Sequence, residues 1–179
     1  MAMSTSTNNT IIGLDDFEGK CTLISQDGEK FEVDNKVASL SNLVKTMIDG
    51  DKGEKEIPVP NVKSDTLKLV IKYLSYHVNN PPKEIEKPLI SSQMHEVVSQ
   101  WDSEFIDMSQ EQLFDVILAA NYMDIKYLLD LACAKVASWI KGKTPEQIRK
   151  TFNIVNDFTP EEEITIIAEN KWAEEASKP

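Results

Sequence analysis

The residues that could do chemistry are few and scattered. His77 and His95 are the only histidines and Cys21 and Cys133 the only cysteines. The histidines are too isolated to form a metal pair, and the cysteines stand far apart without CxxC spacing, so neither a zinc site nor a disulfide framework is expected. No glycine-rich phosphate loop, nucleophile elbow or metal-ligand spacing occurs. Catalysis, a resident metal and a cofactor are therefore not expected. Cys133, mid-helix beside Leu129, Ala132 and Val136 with no neighbouring cation, reads as a small core residue. The formal net charge of -11 would repel nucleic acid and anionic membrane before any local contact formed, which leaves proteins as the expected partners.

The elements that would position such partners are marked by their punctuation. Cys21 to Ser25 and Lys30 to Val33 flank an Asp-Gly pair, Asp27-Gly28, which reads as a β-hairpin because glycine accepts a positive φ without strain. Lys36 to Leu40 and Ser41 to Ile48 read as short helices, and Glu56 to Pro60, with two prolines, as an edge strand. Ser64 is placed to cap a helix whose Leu67, Val70, Ile71 and Leu74 share one face, ending before Asn79-Asn80-Pro81-Pro82. The segment 83–100 reads as a mobile loop with a helical hint at Met94 to Val98. Ser109/Gln112, Thr144/Gln147 and Thr159/Glu162 fit the capping box, Pro145 and Pro160 fall at first helical positions, and Gly142 suits a left-handed stop. Helices are expected over 109–123, 125–141, 144–152 and 159–172.

The helix from Ser109 is apolar around most of its circumference, which predicts a central pillar buried on several sides. Ile148, Phe152, Ile154, Phe158, Ile164, Ile167 and Trp172 instead lie in two short helices that cannot bury so much apolar surface alone. Either they fold back completely onto the Val136 and Ile140 face or they leave an apolar groove for a partner, and the groove is the favoured outcome.

The run LFDVILAANYMDIKYLLDLACAKVASWIKGKTPEQIRKTFNIVNDFTPEEE, Leu113 to Glu163, resembles the S-phase-kinase-associated adaptor family, the linker subunit of Skp-cullin-F-box ubiquitin ligases. DGEKFEVD, IPVPNV and the Pro-Pro followed by WDSEF resemble family segments in the same order, so the likeness spans Cys21 to Trp172. The segment after Pro-Pro, KEIEKPLISSQMHEVVSQ, is less acidic than is usual in the family, and Ala173 stands where a cysteine is common.

The resemblance implies an α/β fold: a BTB/POZ-like domain over 21–140, with a short β-hairpin and edge strand packed on helices. It further implies a C-terminal helical F-box-binding extension over 141–172; the polar, low-complexity N-terminal stretch, 1–20, is an addition to the family pattern and is expected to be disordered, and the tail, 173–179, flexible. It implies a non-catalytic adaptor that bridges a cullin to F-box substrate receptors. Asn121 and Tyr122 would meet the cullin. Leu129, Val136, Ile140, Ile148, Phe152, Ile154, Phe158, Ile164, Ile167 and Trp172 would meet the F-box, and Pro160 matches a prolyl-hydroxylation position of some protist members. No cofactor, nucleic acid or membrane is implied, a weak homodimer of the unbound protein is a further partner state, and the expected location is cytoplasmic and nuclear, there being no leader-like stretch in Met1 to Gly19. An elongin-C-like adaptor would lack the KTPE and NDFT helices, and a structural subunit built around an F-box protein would use the same groove to another end.

Overall fold

A computed structural model describes residues 19–50 and 56–176, with side chains as far as residue 171. The expectations for 1–18 and 177–179, and for the Trp172 side chain, lie outside the described residues. These residues form two compact units, one ending at Ser138 and the other beginning at Trp139.

The first unit opens on strands β1 (Lys20–Ile24) and β2 (Lys30–Asp34), paired antiparallel with Leu23 opposite Phe31. Gly28, at φ 81°, takes the left-handed place in the turn. Strand β3 (Glu56–Pro58) pairs parallel to β1, Leu23 opposite Ile57, giving the order β2-β1-β3. Its one proline, Pro58, is tolerated because β3 is an edge, and Pro60 lies beyond the strand. Between β2 and β3 come α1 (Asn35–Ala38) and α2 (Asn42–Gly50).

Helix α3 (Ser64–His77) starts where expected, but Ser64 is not its cap. Ser64 is the first helical residue, and Asp27 of the hairpin turn satisfies it instead: Asp27 Oδ1 accepts from the Ser64 amide at 2.9 Å and Oδ2 from its hydroxyl at 2.6 Å. A carboxylate 37 positions away outcompetes the local hydroxyl because it can accept from both groups at once.

The segment after Pro82 has two buried anchors, Ile85 and Met94, the latter opening the short helix α4 (Met94–Val97). Lys87 Nζ also reaches Asp130 at 2.8 Å. Helix α5 (Gln100–Phe105) was absent from the sequence expectation; Ser99 caps it by accepting from the Asp102 amide at 3.1 Å. Trp101 of α5 stacks on Tyr76 at 3.8 Å between centroids, and His77 lies buried with Nε2 2.9 Å from Asp102 Oδ1 and Nδ1 2.7 Å from the Asn80 carbonyl. Ser99 donates to the other Asp102 oxygen, so the carboxylate sits between hydroxyl and imidazole, and His77 is not placed to take a proton from Ser99. Burial, and then the Asp102 charge, push the Tyr73 phenol upward.

Helices α6 (Gln110–Tyr122) and α7 (Lys126–Ile140) complete the first unit, α7 ending two residues beyond it. Leu113, Val116, Ala119 and Ala120 of α6 are buried, and α6 packs on α3 through the core that includes Leu67, Val70 and Leu74. The α6–α7 turn, with Asp124 at φ 50°, is clasped by the start of α2. Ser41 donates its hydroxyl to the Met123 carbonyl, and Asn42 Nδ2 donates to Asp124 Oδ2 at 3.1 Å. Cys133 is exposed, against expectation, because it lies on the outer face of α7 between buried Ala132 and Ala134.

The second unit holds α8 (Pro145–Phe152) and α9 (Pro160–Ala176). Both start on the expected boxes. The Thr144 amide donates to Gln147 Oε1 at 3.0 Å, and the Thr159 amide to Glu162 Oε2 at 2.8 Å. Gly142, at φ 73°, follows the end of α7, and Asn153, at φ 54°, ends α8.

Candidate partner-binding surfaces

Two sets of apolar side chains face outward, one in each unit. On α6, residues 114, 118, 121 and 122 fall on one side of a 3.6-residue helix, opposite the buried set. Phe114 is 40% and Leu118 66% exposed, Asn121 is exposed and Tyr122 half-buried. The pillar buried on several sides is thus corrected: α6 buries one face and shows a second apolar face to solvent. Circumferential apolarity says that two faces of α6 want cover without saying which is covered from within the chain, and Phe114 and Leu118 lie on the one that is not. The sequence-expected pair Asn121 and Tyr122 continues this stripe at the C-terminal end of α6.

In the second unit Ile148 and Phe152 lie one turn apart on α8, both half-buried, with Phe152 6.2 Å from Trp139 between ring centroids. Ile154 and Phe158 are exposed on the connection to α9. Ile164 and Ile167, on neighbouring turns of α9, are 70% and 54% exposed, and Ile140 is exposed at the end of α7. Leu129 and Val136 are half-buried on α7 within the first unit. Val155, the most exposed large apolar residue among those described, stands inside the string NIVNDF that carries Ile154 and Phe158 but is not among the sequence-expected contacts.

Polar groups brace this unit. Arg149 Nη2 reaches Glu163 Oε1 at 2.7 Å, and Asn156 Nδ2 donates to the same oxygen at 3.2 Å. Glu162 is held below the usual carboxylate range by the Thr159 amide and then its hydroxyl. Among the described residues no cluster of three or more His, Cys, Asp or Glu side chains is arranged to hold a metal, and no helix is long and apolar enough to cross a membrane.

The described residues thus form a small mixed sheet with helices and a helical unit, each presenting apolar side chains that its own fold leaves uncovered. Residues 19–79 match the description "Skp1 family, tetramerisation domain" and residues 126–173 match "Skp1 family, dimerisation domain". A Tetrahymena thermophila "S-phase kinase-associated protein 1 homolog" is 57% identical over 159 residues, 88% of this chain and 96% of the relative. Proteins named "E3 ubiquitin ligase complex SCF subunit sconC" are 50% identical in Arthroderma benhamiae, over 87% of this chain and 96% of theirs, and 51% identical in Aspergillus clavatus, over 86% and 97%. The chain belongs to the Skp1 family, and its fold is the α/β, BTB/POZ-like one with a C-terminal helical extension.

Proposed function

We propose that this chain is the non-catalytic adaptor of an SCF-type ubiquitin ligase, joining a cullin scaffold to F-box substrate receptors in the cytoplasm and nucleus. The observation that carries the proposal is the pair of uncovered apolar faces in separate units of a Skp1-family chain. The cullin surface is the α6 stripe of Phe114, Leu118, Asn121 and Tyr122. The receptor surface is carried by Ile140, Ile148, Phe152, Ile154, Phe158, Ile164 and Ile167, with Leu129, Val136 and Trp172 as further contacts.

Magnitudes support a surface of this extent. Fully burying one such side chain contributes about 1.5–3 kcal/mol, and association costs about 4–15 kcal/mol in lost freedom. One or two half-exposed residues could not offset that cost, whereas a row of seven can. The mechanism is positional: holding a receptor-bound substrate beside the cullin-recruited, ubiquitin-charged enzyme raises effective concentration without the adaptor making or breaking a bond.

The test is a pull-down with the full tagged chain from a lysate of its own organism. Wild type should retain a cullin and several F-box proteins. Leu118→Glu with Asn121→Lys should lose mainly the cullin, and Ile164→Glu with Ile167→Glu mainly the receptors. Folded wild type that retains neither class would overturn the reading. Pro160 belongs to the same proposal as a hydroxylation site, since it is exposed at the first position of α9, open to a modifying enzyme. Its tryptic peptide from native protein should carry an added oxygen mass, and a fully unmodified peptide would refute the assignment.

A further inference from the structure

No side chain described in the second unit is buried, and α8 has no buried residue at all. The arrangement of α8 and α9 is therefore not fixed by an apolar core, yet the receptor surface proposed above needs Ile148 and Phe152 of α8 in register with Ile164 and Ile167 of α9. Polar groups of α8, the connection and α9 converge on a single atom. Glu163 Oε1 accepts from Arg149 Nη2 of α8 at 2.7 Å and from Asn156 Nδ2 of the connection at 3.2 Å. The Asn156 side-chain oxygen in turn accepts from the Phe158 amide at 3.4 Å. The Ile154 amide donates to the Arg149 carbonyl at 2.8 Å, across the left-handed turn at Asn153.

Each polar group in this network adjoins a residue of the apolar face. Arg149 directly follows Ile148, Asn156 lies between Ile154 and Phe158, and Glu163 directly precedes Ile164. We infer that Arg149, Asn156 and Glu163 are positioning residues for receptor capture: their carboxylate-centred clamp sets the relative placement of the apolar side chains before a receptor arrives. The inference rests on the adaptor reading above. The pair is partly exposed, and such pairs contribute little to global stability. The clamp therefore acts on binding, because binding is where an unordered face would cost the most. Glu146 Oε1, 3.8 Å from Arg149 Nη2, is a second and looser partner for the same guanidinium.

The test is a double-mutant cycle in the full chain, using a purified F-box protein that wild type retains in the pull-down and the cullin as a second ligand. Arg149→Gln and Glu163→Gln should each weaken receptor binding about tenfold, with the double variant no weaker than either single, as expected of two groups acting through one interaction. Cullin binding should be unchanged throughout, which a general loss of fold would not allow. Wild-type receptor affinity should fall as ionic strength rises from about 0.05 to about 0.5 M, and the double variant should lose that dependence, because the screened pair is gone. Independent losses that add in the double variant would mean that each residue touches the receptor directly and would overturn the clamp. Unchanged receptor affinity in both singles would overturn it equally. Wild type that binds no F-box protein at all would instead remove the adaptor reading beneath it.

Discussion

In the first unit, apolar side chains of every layer are buried: Leu23 of β1, Ile57 of β3, Leu67 and Leu74 of α3, Leu113 of α6 and Leu128 of α7 are all essentially inaccessible. In the second unit, side chains of the same types stand open to solvent, and the helices are tied by caps and by the Arg149–Glu163 pair. The amino acids are alike in the two regions, and what differs is where the cover comes from. The first unit supplies most of its own through a sheet and several helices, the outer face of α6 excepted, while α8 and α9 bury none of their described side chains. A region that is apolar yet uncovered marks where another chain is expected to supply the remaining half of the core.

The contrast can be broken most directly by truncating one side chain in each region. Leu67→Ala removes a fully buried side chain at the α3–α6 contact and should cost about 2–5 kcal/mol of unfolding free energy. Ile167→Ala, on the open face of α9, should stay within about 0.5 kcal/mol in the free protein. Denaturant unfolding of the unbound chain measures both. A loss at Ile167 as large as that at Leu67 would mean that the second unit carries a core of its own, and the division between a self-covered and an uncovered region would fail.

Much of this architecture was legible beforehand, and the parts that were not have a common cause. Ser109, Thr144 and Thr159 marked three helix starts correctly because a capping box is local chemistry, complete within four residues. The hairpin turn at Gly28 and the stop at Gly142 were equally local. Asp27 was not legible as the partner of Ser64, since nothing within one turn of either residue announces a bond across 37 positions. Helix α5 escaped notice because six residues give periodicity too little length, although Ser99 and Asp102 had the right spacing for a cap. The buried pillar expected of α6 and the interior place expected of Cys133 both failed because composition reports how apolar a helix is and not which side meets a neighbour. For the site, the family strings pointed to Asn121 and Tyr122, while the apolar stripe leading to them emerged only once α6 was seen against α3.

The smallest effect sharpens the comparison through acid, because each unit is tied by an exposed carboxylate of a different kind. Asp27 joins two elements of the first unit, and the Ser64 and then the Ser25 hydroxyls hold it at about 2, against an ordinary 3.8. Glu162 closes a cap within one helix of the second unit and is likewise lowered from 4.5. A carboxylate with a depressed folded value binds its proton more readily when unfolded. Its contribution is thus complete above the unfolded value and disappears as pH falls through the folded one. For Asp27 that window runs from about pH 4 down to about pH 2. Wild type should lose thermal stability across this interval, whereas Asp27→Asn, which cannot ionise, should melt lower at pH 7 and show a shallower decline, the two curves converging near pH 2. Parallel curves would show that the hairpin–helix tie does not depend on the Asp27 charge, and the first unit would then owe its closure to apolar burial alone.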